Sequence, residues 1–316
     1  MLAGHALGVY DILLPIIMDV SSSKALRMAG KHLKKSVYSP KVAIKTLRTT
    51  YDALYGTPLL PNNIDQKEVD VGPVSALFLV PELALGKRVI LYAHGGGFIS
   101  GSPYASRSLC ASLAHEAASR ILIPAYRLAP EFPYPTALED LYNSYAWILK
   151  QGIPADEVYF AGDGAGANLA LSLIQYLKPR NIRLPAGCIA ISPWVDLSCS
   201  SSSFTARKNP DPLFTKDIMS AQALQYTWQD NFTNPGVSPL FGDFSFMPPL
   251  YIQCGSEEIL LDDAKQLAER ARTEGVATVL DIEEGMWHLF QSIDSLTPRA
   301  HVAVRKIGQW VRSGGR

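Results

Sequence analysis

The chain lacks a surplus of either charge. Its 29 Lys and Arg are matched by 29 Asp and Glu over 316 residues. A balanced chain carries no global basic field and no acidic tail, so no nucleic-acid partner is expected. Charge of any kind is scarce, at 18% against 47% hydrophobic residues, which excludes a mostly disordered chain and requires a large core or an apolar cleft. Cysteine is also rare. Cys110, Cys188, Cys199 and Cys254 form no C-x-x-C pair, which argues against zinc and dithiol chemistry and for reduced, buried thiols. A long uninterrupted apolar run is missing too. Residues 9–20 (VYDILLPIIMDV) contain Asp11, Pro15 and Asp19, with no Lys or Arg before them and no clean small-residue cleavage site after them. A secretory signal, a spanning helix and a stable membrane anchor are therefore not expected, and the expected location is cytoplasmic.

The length suits one large α/β domain with room for a subdomain. No internal repeat occurs, and Ser200–Ser203 is the one low-complexity stretch. The segment from Met1 to about Thr57 reads as amphipathic helix, with Lys24, Arg27, Lys31, Lys34 and Lys35 on a solvated face. Beyond it, short β-branched runs alternate with helical patterns. Strands are expected at 67–71, 75–80, 88–93, 121–125, 157–161, 187–191, 249–254 and 278–283. The central ones are continuously apolar, as strands covered on both faces must be. Helices are expected at 104–119, 136–150, 165–177, 259–274 and 295–312. In the fourth, Leu260, Ala264, Leu267 and Ala271 share a face, and Gly275 stands where a C-cap is wanted. This alternation predicts a doubly wound, mainly parallel sheet. Residues 196–247 break the rhythm and read as an insertion over the carboxyl edge of the sheet, with one helix near 215–229.

Chemistry concentrates in the loops that follow strands. The strand ending at Ala93 runs into His94-Gly95-Gly96-Gly97-Phe98. Three consecutive glycines suit close approach of backbone N–H groups to an oxyanion, and neither phosphate-loop pattern is present here. His94 reads as an orienter of this loop rather than a base. A later strand runs into Gly162-Asp163-Gly164-Ala165-Gly166 and then a helix, which is the setting of a G-x-S-x-G nucleophile elbow. The flanking Gly162 and Gly166 make room where strand packs on helix. The central residue is Gly164, which tolerates the positive φ of an elbow but carries no hydroxyl. Further on, Glu257, Glu258, Asp262 and Asp263 cluster after a strand. Glu258 is at the tip and Asp262 one helical turn later, so the residues alone leave both open as the acid. His288 follows the last strand, and only it has both the loop setting and the chain order nucleophile, acid, histidine. His5, His32, His115 and His301 read as surface residues. No spacing suggests a cofactor or a metal.

These segments together resemble the hormone-sensitive-lipase family of carboxylesterases. The resemblance rests on HGGGF at 94–98, YRLAPE at 126–131, FPYPTALED at 132–140, GDGAG at 162–166, SPWVDL at 192–197, GSEEILLDD at 255–263 and GMWH at 285–288. It runs from about residue 70 to the C-terminus. It implies an α/β-hydrolase fold, an eight-stranded mainly parallel sheet flanked by helices under a helical cap. Residues 1–60 and an insertion at about 200–235 would form the cap, with 61–316 as the core. The implied activity is hydrolysis of short- to medium-chain acyl esters, with a small-molecule ester as partner. The family's serine falls on Gly164, its acid on Glu258 and its histidine on His288. Gly95, Gly96 and the amide of Ala165 would form the oxyanion hole, supported by His94, Asp163 and Asp262. Leu13, Leu14, Ile16, Ile17, Phe204, Phe214, Tyr226, Trp228 and Phe232 either line an acyl or alcohol pocket or pack cap on core. An edge strand near 278–283 could pair two copies as a homodimer. Gly164 itself has three readings: an engineered, nucleophile-deleted inactive variant, a natural pseudoenzyme or small-molecule receptor, or a site where His288 activates water directly.

Overall fold

The computed structural model describes residues 38–39, 41–56, 63–205, 211–293 and 297–316. Most of the expected N-terminal cap, including Leu13, Leu14, Ile16, Ile17, His5 and His32, lies outside the described residues.

Eight strands form one sheet in the order β1-β2-β4-β3-β5-β6-β7-β8. They are β1 (Ile64–Asp70), β2 (Ser75–Pro81), β3 (Val89–Ala93), β4 (Arg120–Pro124), β5 (Val158–Asp163), β6 (Gly187–Ile191), β7 (Leu250–Gly255) and β8 (Thr278–Glu283). Only the β1–β2 and β2–β4 pairings are antiparallel. The five pairings from β4 through β8 are parallel, as the run of apolar strands separated by helices predicts. The described helices are α1 (Ile44–Tyr55), α2 (Arg107–Ala117), α3 (Thr136–Lys150), α4 (Ala165–Leu177), α5 (Lys216–Tyr226), α6 (Leu261–Thr273) and α7 (Pro298–Arg312).

The pleat of β3 shows how the layers divide. Ile90 and Tyr92 point to one face, where Leu109 and Leu113 of α2 and Val304 and Ile307 of α7 cover them. Val89, Leu91 and Ala93 point to the other, against α3 and α4, which bring Leu141 and Leu169 into the same core. All four cysteines are free and buried in these layers, as expected of inert thiols.

Local chemistry moved several expected boundaries. α7 starts at Pro298 rather than 295, because the Thr297 hydroxyl accepts the Ala300 N–H and Pro298 occupies the first turn. α6 ends beside Gly275, which takes φ +85° as its expected capping role requires. β1 starts at Ile64, earlier than 67. It is an exposed edge strand (IDQKEVD) with no apolar signature, and pairing along β2 extends it. Among the described residues no helix is long and apolar enough to cross a membrane.

The elbow between β5 and α4 is a tight backbone junction. A Cβ on Gly166 would lie 2.0 Å from the Ala93 carbonyl oxygen and 2.6 Å from that of His94. A Cβ on Gly162 would lie 2.4 Å from the Gly166 carbonyl group. Both obstacles are backbone, so neither can step aside. Gly166→Ala is therefore expected to lower unfolding free energy in urea by about 3 kcal/mol. Gly152→Ala, at φ +74° with open space around it, should cost only about 1 kcal/mol. Equal losses at the two positions would contradict this account of the junction.

Candidate active site

The glycine loop leaves β3 through His94. The His94 ring is buried, stacks on Tyr126 at 4.1 Å between centroids, and bonds through Nδ1 to the Gly95 carbonyl at 2.9 Å. Burial pushes its pKa down to about 4, against the raising pull of that carbonyl. A neutral, fixed ring fits the expected orienting role. The Tyr126 hydroxyl donates to the His94 carbonyl at 2.7 Å and fixes the other end of the stack.

Asp163, at the tip of β5, ties the loop to the elbow. Its Oδ1 accepts the Gly95 N–H at 2.9 Å and the Tyr92 hydroxyl at 2.8 Å. Burial raises the Asp163 pKa, while these two donors and the charge of His288 pull it down. Its expected supporting role has this physical content. The same bond corrects the expectation for Gly95, because an amide already given to a buried carboxylate cannot also receive an oxyanion. Gly96 and Gly97 do face the cleft, together with Gly164 and Ala165. Among the described residues, no hydrogen bond uses the N–H of Gly96, Gly97 or Ala165. The sequence gives three equivalent glycines, and only the fold shows which amide Asp163 takes.

Gly164 has φ +54° and ψ −114°, a conformation L residues rarely adopt. Its N–H donates to the Ile191 carbonyl at 2.9 Å, and its carbonyl accepts the Trp194 N–H at 3.2 Å. A Cβ built on it would meet His288 Cε1 and Nε2 at 3.4 Å, an ordinary contact. The elbow thus leaves room at this position for a small side chain beside His288.

Glu258 follows β7 and is buried, at 4% exposure. Its Oε1 accepts the Gly255 N–H at 2.6 Å and the Ser192 hydroxyl at 2.7 Å, and its Oε2 lies 3.1 Å from His288 Nδ1. Asp262 takes no part in this pairing. It accepts the Ser203 N–H at 2.9 Å and the Ser202 hydroxyl, and lies 3.7 Å from the Lys265 ammonium. It thus anchors the inserted segment at a distance from the imidazole and does not support the site directly. The buried neighbour in that acidic cluster is Asp263. It accepts the N–H groups of Val195 and Asp196 at 3.1 and 3.3 Å and the Ser201 hydroxyl, and burial pushes its pKa up to about 7.

His288 sits edge-on to Phe214, with ring centroids 5.0 Å apart. Burial alone would lower its pKa. The hydrogen bond and charge of Glu258, with the charges of Asp211 and Asp163, outweigh burial and hold the pKa above the ordinary imidazole value. Asp211 was not foreseen. It is buried, and it accepts the N–H groups of Ile259, Leu213 and Phe214 at 2.7, 2.6 and 2.7 Å. It thereby pins the segment that carries Phe214.

The cleft above Gly164 measures about 450 Å³, open solvent included. Of the expected aromatic lining, only Phe214 faces it. Tyr226 stacks on Phe98 at 3.9 Å, Phe204 and Phe232 are buried in the main core, and Trp228 is 82% exposed. The walls instead include Tyr38, and Tyr51 and Tyr55 of α1, with Met219 and Gln222 of α5. Tyr51 and Tyr55 are one helical turn apart, a signal the sequence did contain.

Residues 90–292 match the model of a family with the alpha/beta hydrolase fold. An acetyl-hydrolase of Streptomyces hygroscopicus is 36% identical over 78% of this chain and 82% of its own length. An esterase of Acinetobacter venetianus is 33% identical over 89% of this chain and 94% of its own. The crystal structure of an esterase from the bacterial hormone-sensitive lipase family superposes with a TM-score of 0.87 at 30% identity, over 93% of this chain and all of that one (100%). The sheet order, the glycine loop beside the elbow and these relatives agree, and the chain belongs to the hormone-sensitive-lipase family of α/β-hydrolase esterases.

Proposed function

We propose that the chain is an esterase scaffold for short- to medium-chain acyl esters whose nucleophile position is held by Gly164. Ester turnover by the chain as it stands is then abolished or very weak. The observation that carries this reading is the position of the missing side chain. A Cβ at 164 lies 3.4 Å from His288 Nε2, while His288 Nδ1 lies 3.1 Å from the Glu258 carboxylate. Nucleophile position, histidine and acid are thus in line, with one hydroxyl absent.

With serine at 164, the steps follow from the geometry. The Ser Oγ attacks the ester carbonyl as His288 Nε2 takes its proton, and Glu258 holds the ring in the tautomer that leaves Nε2 free. The oxyanion rests on the N–H groups of Gly96, Gly97 and Ala165. His288 returns the proton to the departing alcohol, then activates water to release the acid. With Gly164 no acyl-enzyme forms, and only binding and the oxyanion donors remain, worth roughly 10³–10⁴-fold over water. The α1 region and the insertion at about 200–235 act as the cap, and the aromatic walls they contribute suit an uncharged acyl group.

Gly164→Ser should raise hydrolysis of p-nitrophenyl acetate and butyrate by at least about 10³-fold. Unchanged turnover would instead make the chain a small-molecule binding protein on a hydrolase scaffold. In the Gly164→Ser protein, the base form of His288 is the active one, so activity falls as pH drops through a pKa held above the ordinary imidazole value. Removing the Glu258 charge lowers that pKa. Glu258→Gln should therefore move the acid limb of the pH–rate profile to lower pH and cut kcat by roughly 10²–10⁴-fold. A limb that stays in place would exclude Glu258 as the partner.

A further inference from the structure

Helix α5 buries the face Met219, Gln222, Ala223 and Tyr226, spaced as one helical stripe, and Met219 and Gln222 of that face line the cleft. Three of these residues are those a buried stripe needs. Gln222 is not. It is only 6% exposed, it lines the cleft, and among the described residues no hydrogen bond uses its side-chain amide. Its amide is not sealed in the core but open to the cleft, whereas a face built for packing alone would be served by Leu or Met. Its place is also specific. A Cβ on Gly97 would fall 2.4 Å from Gln222 Oε1 and 3.0 Å from Nε2, so the amide lies flat on the glycine loop.

We propose that Gln222 is a specificity-determining residue that selects short esters bearing a hydroxyl close to the ester group. The inference rests on the esterase reading above. Because the amide touches Gly97, a substrate whose carbonyl oxygen sits on the Gly96, Gly97 and Ala165 amides brings atoms only a few bonds from that carbonyl against Gln222. A carboxamide offers a donor and an acceptor on one planar group, which a hydroxyl can satisfy in either direction. A plain hydrocarbon at the same place leaves the amide unpartnered and keeps its desolvation cost.

The test compares two pairs of esters in the Gly164→Ser protein: ethyl lactate with ethyl propionate, and 2-hydroxyethyl acetate with propyl acetate. In at least one pair kcat/KM should favour the hydroxy ester, and Gln222→Met should cut that preference by about tenfold or more. Equal ratios before and after substitution in both pairs, or a Gln222→Met chain that does not fold, would overturn the inference. Binding of the same four esters to the unaltered Gly164 chain, measured by calorimetry, separates the two claims. If Gly164→Ser is inert but Gln222→Met still loses hydroxy-ester binding, the esterase reading fails and the role of Gln222 stands. If Gly164→Ser is active and the preference is untouched, the reverse holds.

Discussion

Gly166 touches the carbonyls of Ala93 and His94, and nothing larger than a hydrogen atom fits between them. This backbone contact seats the first turn of α4 against the tip of β3. It places the two loops that matter, 94–98 and 162–166, side by side with no side chain interposed. Asp163 then joins them by taking the Gly95 N–H. The amides of Gly96 and Gly97 can face the cleft because Gly95 is turned away from it. Change the closeness of that contact and the donors, the elbow and the imidazole lose their common origin.

The parts of the fold driven by burial could be read directly from the residues. The strands VILYA, GCIAI and LYIQCG are apolar because both faces are covered, and that run of apolar residues marks their positions. β1 had no such signature, since an edge strand of charged residues is held only by its pairing to β2. At the site, residue types and order pointed to Gly164 and His288, while Glu258 and Asp262 stayed open until the resemblance favoured Glu258. They could not carry Gly95 against Gly97, because the deciding bond joins residues far apart in sequence. Nor could they separate Asp262 from Asp263. Adjacent helical residues point in different directions, and only the packed helix shows that Asp263 faces inward to the Val195 and Asp196 amides while Asp262 faces the inserted segment.

A chain of zero net charge nevertheless surrounds one imidazole with acidic groups. Glu258, Asp211 and Asp163 all act on His288, and each carboxylate is also held by N–H or hydroxyl donors. The sequence balances charge globally, whereas the fold concentrates it where protons would move. The apolar surplus of the composition has two uses in the same way. It fills the layers on both faces of the sheet, and it supplies the aromatic walls of the cleft.

The backbone of Gly164 also sets stability against turnover. At φ +54° and ψ −114° an L side chain is strained, at a cost of about 1–3 kcal/mol. Glycine removes that strain, so the form without a hydroxyl should be the sturdier of the two. A fold tuned only for persistence would keep glycine here, and a fold tuned for chemistry would accept the strain. Few positions in a protein place that choice on a single side chain.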